Sequence, residues 1–355
     1  MFKLVDLYIG KAIAASTFFS VLMLTALSGL IRFVEQLRYI GRGTYTMSDA
    51  SMFVLYSMPR DLEVFFPMAA LLGGLIGLGA LASNSELIVL QAAGMSRLKI
   101  IKSVMKTTTV LVVIVLIIGE YFAPKLEQLG DELRNGAIYG SQQETSAKQI
   151  WLKDIGKFVH VGDAKHPEKL SDVTIYDFDK SLNLTKVVSA QSAEFQQSDW
   201  LLKNVEETLI SPDKIEKITF NEQVWQTKLT PDKLTIVAAT PEALSITELS
   251  DYLDYLKTNE QESGRYQLAF WRKILQPITV AVMMLMALSF IFGPLRSTSM
   301  GTRILMGVMT GFGFFISNRI FGPVVLVYEF PPVLGALLPS LLFTLIAINM
   351  IKRQR

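Results

Sequence analysis

Val110-Leu111-Val112-Val113-Ile114-Val115-Leu116-Ile117-Ile118 is the centre of an apolar run over 99–122, after which the chain turns polar and rich in turn residues. About 20 helical residues at ~1.5 Å rise cross a ~30 Å hydrocarbon core, so this run is long enough to span a bilayer. Lipid offers backbone groups no partners, which makes a helix the self-sufficient form for a single run. Two similar runs precede it, over 12–33 and 50–82, and three follow the polar insert, over 270–293, 301–323 and 333–351. The expected fold class is an α-helical membrane protein with six transmembrane helices in a three-plus-three layout around an inserted, jelly-roll-like all-β domain. Residues 1–123 take the first three spans, with a short connector helix at about 84–94. Residues 124–242 take the β domain, 243–264 an amphipathic helix and linker, and 265–355 the last three spans.

Composition agrees. Half of the 355 residues are hydrophobic and 19% are charged, with the charge gathered in the insert and the short connections. A net charge of +2 with no basic run interleaved with aromatics excludes a nucleic-acid binder. The absence of cysteine removes disulfides, thiolate metal sites and cysteine nucleophiles together. Lys3 and Lys11 precede the first run, but that run is longer than a signal-peptide core and lacks a cleavage site, so it reads as an uncleaved span.

Positive charge sets the expected orientation. Lys3 and Lys11, then Arg97, Lys99, Lys102 and Lys106, then Arg296 and Arg303, and finally Lys352-Arg353-Gln354-Arg355 fall on one side, the cytoplasm. Both termini are then cytoplasmic and the insert lies across the membrane. Arg32, Arg38, Arg42, Arg60, Arg134 and Arg272 break this rule at the opposite ends. Two readings stay open. The arginines snorkel to headgroups or pair with Glu35, Asp61 and Glu63, or they form a ring whose guanidinium forks hold phosphates or carboxylates. Arg32 and Arg60 favour the ring, because an unneeded charge at hydrophobic depth is costly.

Between spans two and three, Ser83-Asn84-Ser85-Glu86 matches a capping box, with Gly94 as a natural helix stop and Ser96 as a cap for span three. The short helix between them would expose Leu87, Ile88 and Leu90, a patch that suits a partner protein, or that rests on lipid or its own bundle. A docking helix for a cytoplasmic motor fits, because nothing here matches G-x-x-x-x-G-K-[ST].

The insert carries short β-branched and aromatic runs at 150–153, 158–161, 173–176, 186–188, 193–195, 200–202, 217–220, 224–227 and 234–237, separated by turn residues. Trp200 and Trp225 read as core, and Asn183-Leu184-Thr185 is a glycosylation-type triplet without further support. Ser245-Ile246-Thr247-Glu248 is a second capping box, opening a helix whose apolar face is Leu249, Tyr252, Leu253, Tyr255 and Leu256. That helix is expected at the outer interface. Catalysis is poorly supported: His160 and His166 alone make no metal site, and no H-E-x-x-H or G-x-S-x-G occurs. Glu120 reads as structural or salt-bridged, or as a cargo or partner contact. Pro277, Gly293-Pro294, Gly311, Gly313 and Gly322-Pro323 permit close helix packing or a kink.

Ser85-Glu86-Leu87 through Gly94, the stretch Met283-Met284-Leu285-Met286-Ala287-Leu288-Ser289-Phe290-Ile291-Phe292-Gly293-Pro294-Leu295-Arg296 and Ile320-Phe321-Gly322-Pro323 resemble the LptF/LptG permeases of lipopolysaccharide export. Tyr8-Ile9-Gly10-Lys11, Phe66-Pro67-Met68-Ala69-Ala70-Leu71-Leu72-Gly73 and Arg265-Tyr266-Gln267-Leu268 are most similar to the LptG branch. The resemblance covers essentially the whole chain and is weakest in the β insert.

It implies a bacterial inner-membrane subunit of an ABC-type transporter that pairs with an LptF-like permease and binds an LptB-like ATPase dimer. The pair would pass lipopolysaccharide through the periplasmic β domain to an LptC-like acceptor. The chain itself would be no enzyme and would hold no cofactor or metal, ATP being bound by the partner. Glu86, with Leu87 and Leu90, would contact the ATPase. Arg32, Arg38, Arg60 and Arg134 would face lipid A phosphates, and Tyr39 stands where relatives can carry a second base. The alternative is a membrane scaffold that tethers envelope partners without transport.

Overall fold

The computed structural model describes the chain except residues 1–3, 140–148, 155, 167, 180, 182, 197–198, 212–213, 228, 232, 235–239, 294–297 and 353–355, and the side chains of 164–166. Lys3, the turn over 294–296, most of the strand expected at 234–237, the tail beyond Lys352 and the His166 side chain lie outside the described residues. The chain divides into two compact units, Met1–Ile138 with Gln267–Arg355, and Tyr139–Tyr266.

Among the described residues, the first unit holds six helices long and apolar enough to cross a membrane. In chain order these are α1 (Leu4–Leu37), α2 (Met47–Ser83), a third span beginning as α4 (Arg97–Ile117), then α7 (Gly264–Phe292), α8 (Met300–Val327) and α9 (Pro332–Lys352). The short connector helix α3 (Glu86–Ala92) joins α2 to α4. Polar side chains mark the starts. Thr46 and Asp49 form a capping box at α2, Ser96 accepts from the Lys99 amide at α4, and Ser299 accepts from Thr302 at α8.

The third span does not stop where its apolar run does. A π turn (Ile118–Phe122) passes into α5 (Ala123–Tyr139), so residues 124–138, expected in the β domain, continue the helix instead. Ala123, Gly130 and Ile138 are buried along α5, which is how a polar stretch remains helical.

Helix α2 is the centre of this unit, with 72% of its apolar window buried. Its glycines set the packing distance. A Cβ on Gly73 would lie 2.2 Å from Thr17 Oγ1 and 2.4 Å from Thr17 Cα, so α1 approaches α2 almost backbone to backbone. Ser16 uses that approach, donating to the Gly73 carbonyl at 2.7 Å. Ile9, Ile13, Leu71, Leu75, Leu78, Met283 and Met284 fill the core. Of the glycines expected to allow packing, Gly311 meets Met68 and Gly322 meets Leu268 and Arg272, whereas Gly313 has open space. Arg303 is not a loop charge. It is 2% exposed and donates to the Gly79 carbonyl at 2.6 Å.

The second unit is an antiparallel meander in the order β1 to β6: Ile150–Asp154, Lys157–His166, Lys169–Phe178, Leu184–Gln196, Asp199–Ser211 and Lys214–Trp225. The all-β expectation holds, but the short runs at 186–188 and 193–195 join into one strand, as do 217–220 and 224–225. The described strands pair only with chain neighbours, without the crossovers of a full jelly roll. Leu152, Val159, Val161, Val173, Ile175, Val188 and Ala190 supply a buried face by alternation. Trp200, wholly buried, donates from its indole to the Leu229 carbonyl at 2.8 Å, and Trp225 lies 6.3 Å away, so both are core.

Helix α6 (Ile246–Thr258) begins at the expected capping box, Ser245 with Glu248. Its apolar face is not offered to a membrane interface. Leu249, Tyr252, Tyr255 and Leu256 are buried inside the β unit, where the Tyr255 hydroxyl donates to the Lys153 carbonyl of β1 at 3.3 Å. Burial pushes the phenols of Tyr252 and Tyr255 far above their ordinary range, so both stay neutral donors.

Candidate functional site

Two groups of polar residues stand at opposite ends of α1. At its C-terminal end the loop over 38–46 returns the chain into α2. Gly43 is required there by both criteria: its φ is +57°, and a Cβ would lie 2.4 Å from the Ile138 carbonyl oxygen. Thr44 donates from its amide to the Ala137 carbonyl at 2.8 Å, which ties this loop to the end of α5. Tyr45 is 1% exposed and donates to Gln36 Oε1 at 3.2 Å. Burial pushes its phenol up, against the opposing pull of Arg134.

The four expected cargo arginines fall in this region, two of them on carboxylates and two on amide or carbonyl oxygens. Arg32 places its fork on Asp61, Nε to Oδ2 at 3.0 Å and Nη2 to Oδ1 at 2.7 Å. Arg60 donates to Glu127 of α5, with both side chains largely buried. These two pairs match the pairing reading, since a carboxylate within reach lowers the cost of a charge among apolar helices, and they leave the ring reading open. Arg38 is exposed and reaches the Glu35 carbonyl at 3.4 Å. Arg134 donates to Gln36 Oε1 at 2.9 Å. Tyr39 organises the cluster: the guanidinium carbons of Arg134, Arg42 and Arg38 lie 4.6, 5.2 and 5.9 Å from its ring centre. An aromatic face attracts cations, so a tyrosine here gathers charge where a second base would repel it.

At the other end of α1, the connector helix differs from its expected form. Ser83 ends α2 and donates to the Ala80 carbonyl, and Ser85, with φ of 62°, makes no side-chain cap. The capping box is therefore absent. Ser83 is still inside the preceding helix, which leaves Glu86 as the first residue of α3 with its carboxylate turned elsewhere. It accepts from the Tyr8 hydroxyl at 2.6 Å. The C-terminus is as expected: the Gly94 amide donates to the Gln91 carbonyl and Met95 to Leu90, with Gly94 at φ +89°.

The apolar patch is also rotated. Leu87 is 3% exposed and Leu90 packs on the bundle core, while Ile88 and Val89 face outward at 48% and 64%. Leu87 and Leu90, three apart, share one helical face, and the bundle takes it. Leu87 also lines a recess of about 70 Å³ together with Ala82, Ile88, Gln91, Arg97, Ile291 and Phe292.

Sequence reasoning missed four partners: Tyr8 for Glu86, Glu127 for Arg60, Gln36 for Arg134 and Lys273 for Glu63. Lys273 Nζ lies 3.4 Å from Glu63 Oε2 and 3.5 Å from the Gly119 carbonyl in the π turn. The Glu63 carboxylate occupies the place where a Gly119 side chain would be, so the π turn, Gly119 and this ion pair fit together. A cation and an acid each isolated in an apolar run was the available signal. Glu120 lies in the same π turn. The His160 ring lies 4.7 Å from that of Trp151, tilted by 44°, and among the described residues no group of acids and histidines could hold a metal ion.

Over residues 7–353 the chain matches the family described as lipopolysaccharide export system permease LptF/LptG. It is 46% identical over 356 residues to the lipopolysaccharide export system permease protein LptG of Escherichia coli (strain K12), covering 99% of each chain. Against the protein of the same name from Haemophilus influenzae (strain ATCC 51907 / DSM 11121 / KW20 / Rd) it is 44% identical over 357 residues, covering 100% of each.

Proposed function

The chain belongs to the LptF/LptG family of lipopolysaccharide export permeases, and on that premise we propose how it works as a permease subunit of an ABC-type transporter. It extracts lipopolysaccharide from the bacterial inner membrane and passes it through its β domain toward the outer membrane. A second, LptF-like permease completes the cavity, an LptB-like ATPase dimer hydrolyses ATP below, and an LptC-like acceptor receives the lipid. Lys11, Arg97, Lys99, Lys102 and Lys106 support a cytoplasmic connector end, which puts both termini in the cytoplasm and the β domain in the periplasm. Large exposed faces on α1 and α8, whose apolar windows are 28% and 17% buried, leave room for lipid and a partner permease.

The observation that carries this mechanism is that α1 reaches both candidate sites. Tyr8 holds Glu86 at one end and Arg32 holds Asp61 at the other. A force applied by an ATPase to α3 has a direct path along one helix to a cation able to hold a cargo phosphate. Glu86 and the outward face of α3 bind the ATPase, with Leu87 and Leu90 transmitting its movement to the bundle. Arg32, Arg38, Arg60 and Arg134 contact cargo anions.

Purification with co-expressed partners tests it. Lipopolysaccharide and an ATPase should copurify, and neutralising Arg32 and Arg60 together should weaken lipid retention. Copurification without any ATPase, with retention unaltered, would favour the tethering scaffold instead.

A further inference from the structure

Arg60 and Asp61 are neighbours on α2 yet serve different helices, Arg60 donating to Glu127 and Asp61 accepting from Arg32. The Arg32–Asp61 pair is unequal. Asp61 is 3% exposed and accepts in addition from the Ser28 hydroxyl at 2.7 Å, so both of its oxygens are engaged from α1. The Arg32 side chain is 32% exposed against 4% for its partner. The acid is fixed and the cation is reachable. A phosphate offers the same pair of oxygens to a guanidinium fork as a carboxylate does, so it competes for the groups Asp61 now occupies.

We propose that Asp61 is a specificity-determining counter-anion: a cargo phosphate displaces it from the Arg32 fork on loading, and its return to Arg32 expels the phosphate. This rests on the reading of Arg32 as a cargo cation. Exchange of one anion for another avoids exposing a lone guanidinium among apolar helices, and it keeps the held lipid from being bound too tightly to leave. A displaced Asp61 keeps only Ser28, an under-compensated buried charge. That cost favours closing the pair again and biases the site toward release.

The test uses the co-purified complex in phosphatidylcholine nanodiscs and follows dissociation of labelled lipopolysaccharide without ATP. One sample carries its phosphates, and a second has been dephosphorylated. Asp61→Asn should slow dissociation of the phosphorylated lipid by roughly three- to tenfold, leave the dephosphorylated lipid unchanged, and have no effect in an Arg32→Gln background. Asp61→Glu should stay near the parent protein. Unchanged dissociation from an intact Asp61→Asn complex would overturn the proposal. So would slowing that persists for the dephosphorylated lipid, which would assign the fork to bilayer phospholipid. Loss of assembly in both Asp61 variants would make the pair purely structural, and would overturn it too. Failure of the underlying reading is separate: Arg32→Gln alone would then leave retention of the phosphorylated lipid unchanged.

Discussion

The Tyr8 hydroxyl donates to the Glu86 carboxylate at 2.6 Å, which ties the second turn of α1 to the first residue of the connector helix. Nearby, Lys106 of α4 pairs with Asp6 at 2.7 Å, so two polar links hold the start of α1. In the proposed transporter Glu86 therefore faces two ways, toward the ATPase and toward α1.

Tyr8→Phe keeps the ring and removes the donor. The bond lies at an exposed site, and the fold should be unaffected. Lipopolysaccharide released per ATP hydrolysed should fall about two- to fivefold, measured in proteoliposomes with both rates followed together. Unchanged coupling would leave the contact with no transmitting role.

Glu63 and Lys273 test the interior of the bundle. Their side chains are 10% and 11% exposed. Glu63→Ala strands a buried cation and should cost about 3–5 kcal/mol, seen as a large drop in the melting temperature of the detergent-solubilised protein. Replacing both, Glu63→Leu with Lys273→Met, should recover most of the loss. Equal losses in the single and double variants would mean that the ion pair is not the cause.

Two glycines should behave oppositely. Gly73→Ala forces a methyl against the Thr17 backbone, costing about 1–3 kcal/mol or more by overpacking, whereas Gly313→Ala enters open space and should be neutral or slightly stabilising. Thermal unfolding of the two variants side by side distinguishes them.

Acid should loosen the middle of the β sheet. Hydrogen bonds from Lys203 and Lys169 hold the Glu194 carboxyl below its usual range, and Glu194 links β4 to β3 and β5. A depressed carboxyl contributes stability that is present above its unfolded pKa, about 4.3, and lost as pH falls through the lower folded value. Amide exchange in β4 and β5 of the full chain should therefore accelerate below about pH 4. Glu194→Gln should remove that part of the pH dependence.

The six spans were legible because membrane insertion is written in composition, and local hydrogen-bonding signals such as Ser245 with Glu248 or Gly94 at a helix end were legible because their partners are close in sequence. What stayed hidden is long-range. Arg60 finds Glu127 and Lys273 finds Glu63 across separations of 67 and 210 residues, and no local pattern encodes which charges meet. Ser83 misled for a related reason. The box motif was complete, but α2 ran through it, so the serine was helical and could not act as a cap. The connector's apolar patch likewise could not reveal which of its faces the bundle would take.

The central claim is that the connector helix drives release of lipid held at the other end of α1. The most direct measurement is ATP-driven lipopolysaccharide release from the reconstituted complex carrying Glu86→Arg. The account predicts that this variant still folds and retains lipid at the arginine end, while ATP-dependent release is lost. Release at the parental rate from an assembled Glu86→Arg complex would contradict it.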